Sequence, residues 1–463
     1  MSSTLIRGGT IVTALDTYKA DIRVRDGRID EIGHSLQRGP RDGVLDATGK
    51  LVMPGGIDPH THMELPFMGT TACDSFFTGT RAGLVGGTTS IVDFVIPSRG
   101  QSLLEALDIW NKKAEGAAGD YAFHMVVTWW DETVAREMEI CVKEHGITSF
   151  KTFMAYKGAL GIDDNELYNV MKKAKELNAI TTLHCENADL VDNLVKQHLD
   201  AGLIAPKYHA TSRPPEVEAE ATGRAIALAR MAKEPIYIVH LTCEDSLSQV
   251  RDARYRGQSV WAETCIQYLL LDDSVYEGPG FEGAKYVMSP PIRPAGHQEA
   301  LWNGLKAGLL QTVATDHCPF MFNGQKDMGR DSFAKIPNGG PGVQERMSLL
   351  WTHGVKAGRM TENEFVATSS TNAAKLFDLY PRKGCIQLGA DADLVLWDPD
   401  HQWTISVDNM ASEIDYTMFE GWEVQGRADT VMQRGEIVVS NHEWCGNEDD
   451  GVYLRRTPTG MNL

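Results

Sequence analysis

Short apolar runs alternate along most of the chain with segments in which apolar residues recur at three- and four-residue steps. The runs predict buried strands, whereas the recurring pattern, as in Asp164–Leu177, predicts amphipathic helices. Eight runs are present: Leu51–His62, Thr88–Val95, Tyr121–Thr128, Ser149–Ala155, Ile180–His184, Pro235–His240, Ser259–Thr264 and Thr312–Asp316. Eight strands separated by helices are typical of a (β/α)8 barrel, so we expect an α/β fold with a TIM-like barrel.

The two ends of the chain have a different pattern, because apolar and polar residues alternate there as in half-buried strands. Asp26-Gly27 lies between two such stretches and is a typical hairpin turn. The alternating segments are Leu5–Thr13, Asp21–Ile32, Asp391–Trp397 and Thr430–Val439. We therefore predict that both ends build one small, discontinuous β-sandwich domain. The predicted bounds are residues 1–52 and 376–463 for this domain and residues 53–375 for the barrel.

The charge of the chain restricts its partners. The 463 residues carry a formal net charge of −19, which disfavours binding to nucleic acids and to anionic membrane surfaces. No apolar run approaches the roughly 20 residues that a membrane span requires, and Met1–Arg7 lacks the basic start of a secretory signal. The eight cysteines include no C-x-x-C pair, which favours reduced thiols. These features predict a cytoplasmic enzyme.

Side chains that can bind metal ions follow several of the apolar runs. His60 and His62 end the first run, His184 the fifth, His240 the sixth and Asp316 the eighth. Residues two apart on a strand point to the same side, so His60 and His62 can bind one ion together. A single histidine of this kind often lies in a protein core. The whole set at the carboxyl ends of strands predicts a metal site in the barrel mouth.

Lys151 lies within the fourth apolar run, Ser149–Ala155. Burial of an ammonium group is costly, so an unmodified lysine here would need an internal salt bridge or a side chain that reaches solvent. Burial also lowers the pKa of a lysine, and the neutral amine can attack carbon dioxide. The resulting carbamate carries one negative charge and two oxygens, which can bridge two divalent ions. We therefore predict that Lys151 is carboxylated and bridges two metal ions.

The motifs around these residues, taken together and in their order along the chain, are specific enough to indicate a protein family. They resemble the amidohydrolase superfamily and, more narrowly, the cyclic amidohydrolases known as dihydropyrimidinases and D-hydantoinases. The resemblance covers nearly the whole chain. The stretches that carry it are Pro54–His62, Thr148–Tyr156, Leu183–Asn187, Val239–Cys243, Glu282–Pro291, Ala314–His317 and Ile336–Gly342.

The resemblance implies a ligand set and a reaction. One metal ion would take His60, His62 and Asp316, the second would take His184 and His240, and carboxylated Lys151 would bridge them. The usual metal of the family is Zn²⁺, and manganese and cobalt are the alternatives that the same donors allow. The expected reaction is hydrolysis of the cyclic amide of a dihydropyrimidine or a 5-monosubstituted hydantoin to an N-carbamoyl amino acid. Family analogy also implies a homotetramer that uses the tail from Asn447 to Leu463.

Further residues are candidates for substrate contacts and catalysis. Tyr156, just past Lys151, could donate a hydrogen bond to an oxyanion, and Asp316 could move protons. The resemblance implies that the loops with Ser289 and Asn338 hold a cyclic ureide mainly through main-chain groups. An apolar wall could face a ring substituent, although ordinary packing explains its residues almost as well; they are Leu65, Phe67 and Phe153. His209 could support these substrate-binding residues without itself contacting the substrate.

Three alternatives remain at this point. Dihydroorotase and allantoinase are related cyclic amidohydrolases. A dihydroorotase-like chain would have an arginine soon after His62, whereas this chain has Glu64, whose charge would oppose a ring carboxylate. A non-catalytic scaffold, as in relatives that keep the fold without the ligands, is disfavoured because every ligand position is filled.

Overall fold

Eight parallel strands form a barrel at the centre of the computed structural model, which describes residues 3–459. The strands are Gly56–Thr61, Thr88–Val95, Asp120–Val126, Ser149–Lys157, Ile180–His184, Ile236–Ile238, Val260–Cys265 and Thr312–Ala314. Strands that follow each other in the chain are also neighbours in the sheet. The amide of His62 donates to the carbonyl of His317 at 2.8 Å and joins the first strand to the last. The predicted barrel is therefore confirmed.

The first apolar run contains two strands rather than one. Leu51–Pro54 pairs antiparallel with Leu394–Thr404 in a sheet outside the barrel, whereas Gly56–Thr61 is the first barrel strand. Gly55 lies between them, and a Cβ atom on this residue would lie 2.1 Å from Oγ1 of Thr89. The chain changes sheets where only a glycine fits against the second barrel strand, and apolar patterning cannot show such a point.

Helices separate the barrel strands. The predicted helix at residues 164–177 is confirmed as Asp164–Glu176, and a capping box between Asp163 and Glu166 begins it. No helix among residues 3–459 is long and apolar enough to cross a membrane. The α-helices are Phe76–Val85, Leu103–Lys113, Glu132–Lys143, Asp164–Glu176, Ala188–Asp200, Lys207–Thr211, Pro215–Ala232, Glu244–Tyr255, Ile266–Leu270, His297–Lys306, Arg346–Leu350, Glu362–Val366 and Asn372–Leu376.

Strands from both chain ends form two further sheets. Ile22 of the four-stranded sheet belongs to the same buried cluster as Ile11 and Leu394 of the seven-stranded sheet, which confirms the predicted β-sandwich. The predicted hairpin turn is present, since Asp26 and Gly27 have φ values of 50° and 79°. The four-stranded sheet has the order Arg28–Gly33, Asp21–Arg25, Ser3–Arg7 and Asp42–Asp46. The seven-stranded sheet has the order Glu443–Trp444, Glu436–Ser440, Glu423–Gln433, Leu394–Thr404, Leu51–Pro54, Thr10–Val12 and Thr17–Lys19.

The end of the chain crosses the amino ends of the barrel strands. The amide of Gly451 donates to the carbonyl of Ala117 at 2.8 Å, and that of Leu454 donates to the carbonyl of Tyr121 at 2.7 Å. Leu454 is buried against the barrel. This part of the predicted oligomerisation tail therefore contacts its own barrel, and residues 460–463 of that tail lie outside the described residues. The oligomeric role of the tail and the domain bounds stay predictions.

Candidate metal centre

One cavity at the carboxyl ends of the barrel strands brings together every residue that the sequence predicts for the site. Four more residues line it, and the sequence interpretation missed them because apolar and small residues after a strand look like ordinary packing. The predicted residues are His60, His62, Leu65, Phe67, Lys151, Phe153, Tyr156, His184, His240, Ser289, Asp316 and Asn338. The additional ones are Ile96, Leu160, Cys318 and Gly339.

Three side chains converge at the ends of the first and last barrel strands. The Nε2 atoms of His60 and His62 each lie 3.1 Å from Oδ1 of Asp316. The ring of Phe94 packs against both imidazoles, with centroid distances of 4.6 and 4.8 Å, and restricts their rotation. Two imidazole nitrogens that each contact one carboxylate oxygen are a donor set that suits a divalent ion such as zinc.

His184 and His240 form a second group of donors. Nδ1 of His184 lies 2.9 Å from Nε2 of His240, and Nε2 of His184 lies 2.8 Å from the Glu186 carboxylate. If His184 gives its Nε2 proton to that hydrogen bond, its Nδ1 atom is left with a free lone pair. His60, His240 and Asp316 each place a ligand atom within 4.8 Å of the other two, so the two groups adjoin. The donors can therefore hold a metal ion where the two groups meet.

Lys151 is fully buried, and its Nζ atom has no hydrogen-bond partner among the described residues. The atom lies 4.9 Å from the ring centroids of Phe94 and Phe153. Burial lowers the pKa of Lys151 to about 8, although the carboxylates of Asp316 and Glu263 oppose this change. The structure thus excludes both an internal salt bridge within residues 3–459 and a side chain that reaches solvent. The lowered pKa makes the neutral amine more accessible than in an exposed lysine.

Opposite charges set the protonation states of the first group. Burial disfavours a charged imidazole, but the carboxylates of Asp316 and Glu263 outweigh it and raise the pKa of His60 to about 9. Burial also opposes the charge of Asp316, yet His60 and His62 hold the pKa of Asp316 well below its usual range. Burial lowers the pKa of His62 to about 4 and that of His240 well below its usual value. Asp316 is therefore ionised, and His62 and His240 are neutral, as metal binding requires, whereas His60 has to release a proton when an ion binds.

Three site residues have a left-handed backbone conformation at or just beyond the ends of strands. The φ values are 57° for Tyr156, 37° for His240 and 53° for Asp316. Such conformations cost of order 1–3 kcal/mol each and cluster at functional sites. They interrupt the alternation of the strand, so periodicity alone cannot place these side chains. All three line the cavity.

Glu263 is the main residue of the centre that the sequence interpretation missed. It is fully buried in the seventh barrel strand, and its carboxylate accepts hydrogen bonds from Nδ1 of His60 and from the backbone amide of His240 at 3.1 Å. The hydroxyl of Tyr237 donates to its other oxygen at 2.7 Å. One carboxylate thus orients a histidine of each donor group. The sequence feature that could have identified Glu263 is its charge inside the apolar run Ser259–Thr264.

Glu186 supports the second donor group and was also missed as a functional residue. It is fully buried and bonds both His184 and Nη1 of Arg213 at 2.8 Å. Burial raises the pKa of its carboxyl, but Arg213 and His184 outweigh this effect and lower the pKa of Glu186 to about 2. The guanidinium of Arg213 in turn lies 5.9 Å from the ring centroid of Tyr156. Charged contacts therefore link the second donor group to Tyr156.

Tyr156 lies beside the residues predicted to contact a substrate ring. Its ring centroid is 5.7 Å from that of Phe67 and 5.9 Å from that of Phe153. Burial raises the pKa of Tyr156 although Arg213 opposes this effect, so the phenol is a neutral hydrogen-bond donor. Nδ2 of Asn338 donates to Oγ of Ser289 at 3.1 Å and links the two predicted ring-binding loops.

Two further predictions concern charged or polar neighbours. His209 lies behind the ring-binding loops, with Nε2 3.3 Å from Oγ of Ser289 and 2.8 Å from the carbonyl of Met288. This placement agrees with the predicted supporting position. Glu64, in contrast, does not line the cavity, because the chain turns at this residue (φ 50°) and its carboxylate accepts from the amide of Phe76 at 3.3 Å. Glu64 therefore lies outside the cavity lining, and its repulsion of a ring carboxylate stays a prediction.

Comparisons with known proteins are consistent with this geometry. Residues 51–438 match the family described as "Amidohydrolase family". D-hydantoinase of Geobacillus stearothermophilus is 49% identical over 98% of this chain and 97% of its own length. Dihydropyrimidinase of Dictyostelium discoideum is 45% identical over 98% of this chain and 91% of its own length. The crystal structure of dihydropyrimidinase from Brevibacillus agri superposes with a TM-score of 0.97 at 49% identity, over 98% of this chain and 99% of that one.

Proposed function

We propose that this chain, which belongs to the amidohydrolase family, hydrolyses the cyclic amide bond of dihydropyrimidines such as 5,6-dihydrouracil and of 5-monosubstituted hydantoins. The products are N-carbamoyl amino acids. The observation that carries the proposal is the single cavity in which two metal-type donor groups meet Lys151 and Tyr156. The relatives reported above, named D-hydantoinase and dihydropyrimidinase over nearly the full chain, support the same activity.

The family is metal-dependent, and the donors suit two divalent ions, for which we propose Zn²⁺. One ion would be held by His60, His62 and Asp316, and the other by His184 and His240. When bound, such ions activate a water molecule near neutral pH and polarise a substrate carbonyl. The nitrogen and oxygen donors and the neutral imidazoles of His62 and His240 support this proposal.

We propose that Lys151 is carboxylated and bridges the two ions. The neutral amine attacks the carbon of carbon dioxide, a nitrogen–carbon bond forms and one amine proton leaves to solvent. The carbamate therefore carries one negative charge, in place of the positive charge that an ammonium group would add between two cations. The lowered pKa of Lys151 supports this modification, and so does the lack of a hydrogen-bond partner for its Nζ atom in the described part of the chain.

Asp316 is placed to move protons during ring opening. Its carboxylate can take a proton from the attacking water and deliver it to the departing ring nitrogen, which is a poor leaving group as an anion. His60 and His62 hold the carboxylate in place through contacts of 3.1 Å. Tyr156 would donate a hydrogen bond to the oxyanion that forms at the carbonyl, a contact that is worth about 3 to 4 kcal/mol in comparable sites.

The remaining cavity residues would bind the ring. The loops that carry Ser289 and Asn338 would hold the ureide, mainly through main-chain groups. Leu65, Phe67 and Phe153 would form an apolar wall that accepts an apolar substituent at the ring position next to the scissile carbonyl. All five residues line the cavity, which supports this arrangement.

The cavity also distinguishes the related activities. None of the described residues that line it is an arginine, and the nearby Arg213 is bonded to Glu186. The ring carboxylate of dihydroorotate would thus find no guanidinium partner, which disfavours dihydroorotase activity. The polar ureido substituent of allantoin would face the apolar wall, which disfavours allantoinase activity. The filled ligand positions and the relatives named as enzymes disfavour a non-catalytic scaffold.

A substrate panel tests the proposal. The values of kcat/KM for dihydrouracil, a 5-monosubstituted hydantoin, dihydroorotate and allantoin should be measured at equal metal loading, with chelator-treated protein as the control. We expect the first two compounds to be hydrolysed and dihydroorotate to be slower by about a hundredfold, as expected for a missing charge partner in a buried site. Dihydroorotate that matches or exceeds dihydrouracil would refute the assignment, and metal-loaded protein without any turnover would support the scaffold.

Family analogy supports two further proposals about the protein in its cell. We propose that the protein is a homotetramer, and the molar mass measured by light scattering tests this directly. We also propose a cytoplasmic location, which agrees with the acidic composition and the unpaired cysteines.

A further inference from the structure

Lys326 is the second fully buried lysine of the described chain, beside Lys151. The two differ in their contacts, because Nζ of Lys151 has no hydrogen-bond partner within residues 3–459, whereas Nζ of Lys326 donates to two backbone carbonyls. The acceptors are the carbonyl of Val287 at 2.7 Å and that of Gly339 at 2.6 Å. Lys326 itself begins the short helix Lys326–Gly329 and does not line the cavity. The side chain therefore bonds two backbone carbonyls outside the metal centre.

No carboxylate within residues 3–459 forms an ion pair with Lys326. Burial consequently lowers the pKa of Lys326 to about 7, so the buried charge is not compensated as in an ordinary salt bridge. Both protonation states can still serve the two carbonyls, because an ammonium group has three donors and a neutral amine has two. The bridge between the carbonyls therefore does not depend on the charge.

The two acceptors belong to the two loops that carry the proposed ring-binding residues. Val287 lies two residues before Ser289, and Gly339 directly follows Asn338. The loops also contact each other directly, since the amide of Gly339 donates to the carbonyl of Val287 at 3.0 Å and Asn338 donates to Ser289 at 3.1 Å. Lys326 adds a third connection between them.

Gly339 is held from its other side by the end of the last barrel strand. A Cβ atom on Gly339, whose φ is 145°, would lie 2.3 Å from the carbonyl oxygen of Cys318. The amide of Cys318 donates to the carbonyl of Gly340 at 3.1 Å. Because one side of this loop is fixed by the barrel, the bond from Lys326 to Val287 transmits that fixed position to the loop of Ser289.

We propose that Lys326 is a positioning residue that sets the distance between the Ser289 loop and the Asn338 loop, and so the width of the ring-binding part of the cavity. This inference rests on the proposed function, because it assigns these loops to the substrate ring. Lys326 touches neither the ring nor the metal ligands. Its removal should therefore weaken ring binding and leave the metal centre intact.

The test compares Lys326→Met, which keeps the length of the side chain without a donor, with Lys326→Gln, which keeps two donors on a shorter chain. Lys335→Met is the control, because Lys335 is exposed and pairs with the exposed Asp331. Metal content, kcat and KM for a 5-monosubstituted hydantoin are measured for each. We expect KM to rise about tenfold in Lys326→Met and less in Lys326→Gln, with two ions retained and kcat changed less than threefold.

Three results would overturn the inference. A folded Lys326→Met variant with the KM of the wild type would show that the bridge does not affect the ring site. Loss of folding or of metal ions in both Lys326 variants would show that the residue stabilises the fold as a whole. Absence of turnover in the wild type and in Lys335→Met would refute the proposed function itself, which distinguishes that failure from a failure of the Lys326 proposal alone.

Discussion

Replacement of Glu263 tests how the barrel orients its metal-binding side chains. The carboxylate is buried and accepts from Nδ1 of His60, from the amide of His240 at 3.1 Å and from the hydroxyl of Tyr237 at 2.7 Å. His60 belongs to one donor group and His240 to the other. A change at this one position should therefore weaken the binding of both ions.

The structure distinguishes the effects of two substitutions. In Glu263→Gln the remaining oxygen can still accept from His60 and His240, and the Tyr237 hydroxyl, which also contacts Thr312 at 2.5 Å, can reverse its direction. Only the charge is lost, and we expect about a tenfold loss of metal affinity. In Glu263→Ala all three donors lose their acceptor, and we expect about a hundredfold loss. These values span the range usual for partners of metal ligands.

The assay is competition for Zn²⁺ with a chromogenic chelator at fixed pH, together with the metal content after dialysis. Thermal unfolding shows whether each variant is folded. Glu234→Gln is the control, because Glu234 is a buried carboxylate just before the sixth barrel strand and does not line the metal cavity. Folded Glu263→Gln and Glu263→Ala variants with the metal affinity of the wild type would refute the reasoning.

Three further predictions concern single side chains. Lys151→Ala should lose most bound metal and activity because the bridge between the ions is gone. The control is Lys157→Ala, since Lys157 is an exposed lysine of the same strand. If Lys151→Ala retained two ions and normal turnover without added short carboxylates, the carbamate would be excluded. Tyr156→Phe should keep its metal and lose about 10²-fold in kcat, and an unchanged kcat would reduce Tyr156 to packing. Burial raises the pKa of Glu234 from its ordinary 4.5 to about 8 although Lys175 opposes the change. The folded state thus holds a proton that the unfolded state has lost between these values, and stability should fall as pH rises from about 4.5 to 8. Thermal unfolding of Glu234→Gln should lack this decrease, and parallel pH profiles of the two proteins would contradict it.

Several features were predictable from the sequence because they depend on local spacing. The apolar runs identified all eight barrel strands, since a buried parallel strand needs a short apolar segment wherever it lies in the barrel. The positions of His60, His62, His184, His240 and Asp316 at the ends of these runs were sufficient to place them in one cavity. The carboxyl ends of all strands in a parallel barrel meet at the same end, so a local position implies a shared location.

Other features were decided only by the tertiary structure. Glu263 contacts His60 across 203 residues of chain, and Lys326 joins two loops that have no local relation to it. Glu64 turns away from the cavity because its backbone is left-handed, which no periodicity records. A sequence pattern states which face of a strand a residue occupies, but the partner of a buried charge depends on which distant segments the closed barrel brings into contact. The sequence by itself therefore determined the barrel and its donors, whereas the supporting contacts that orient those donors and the ring-binding loops arise only from the folded chain.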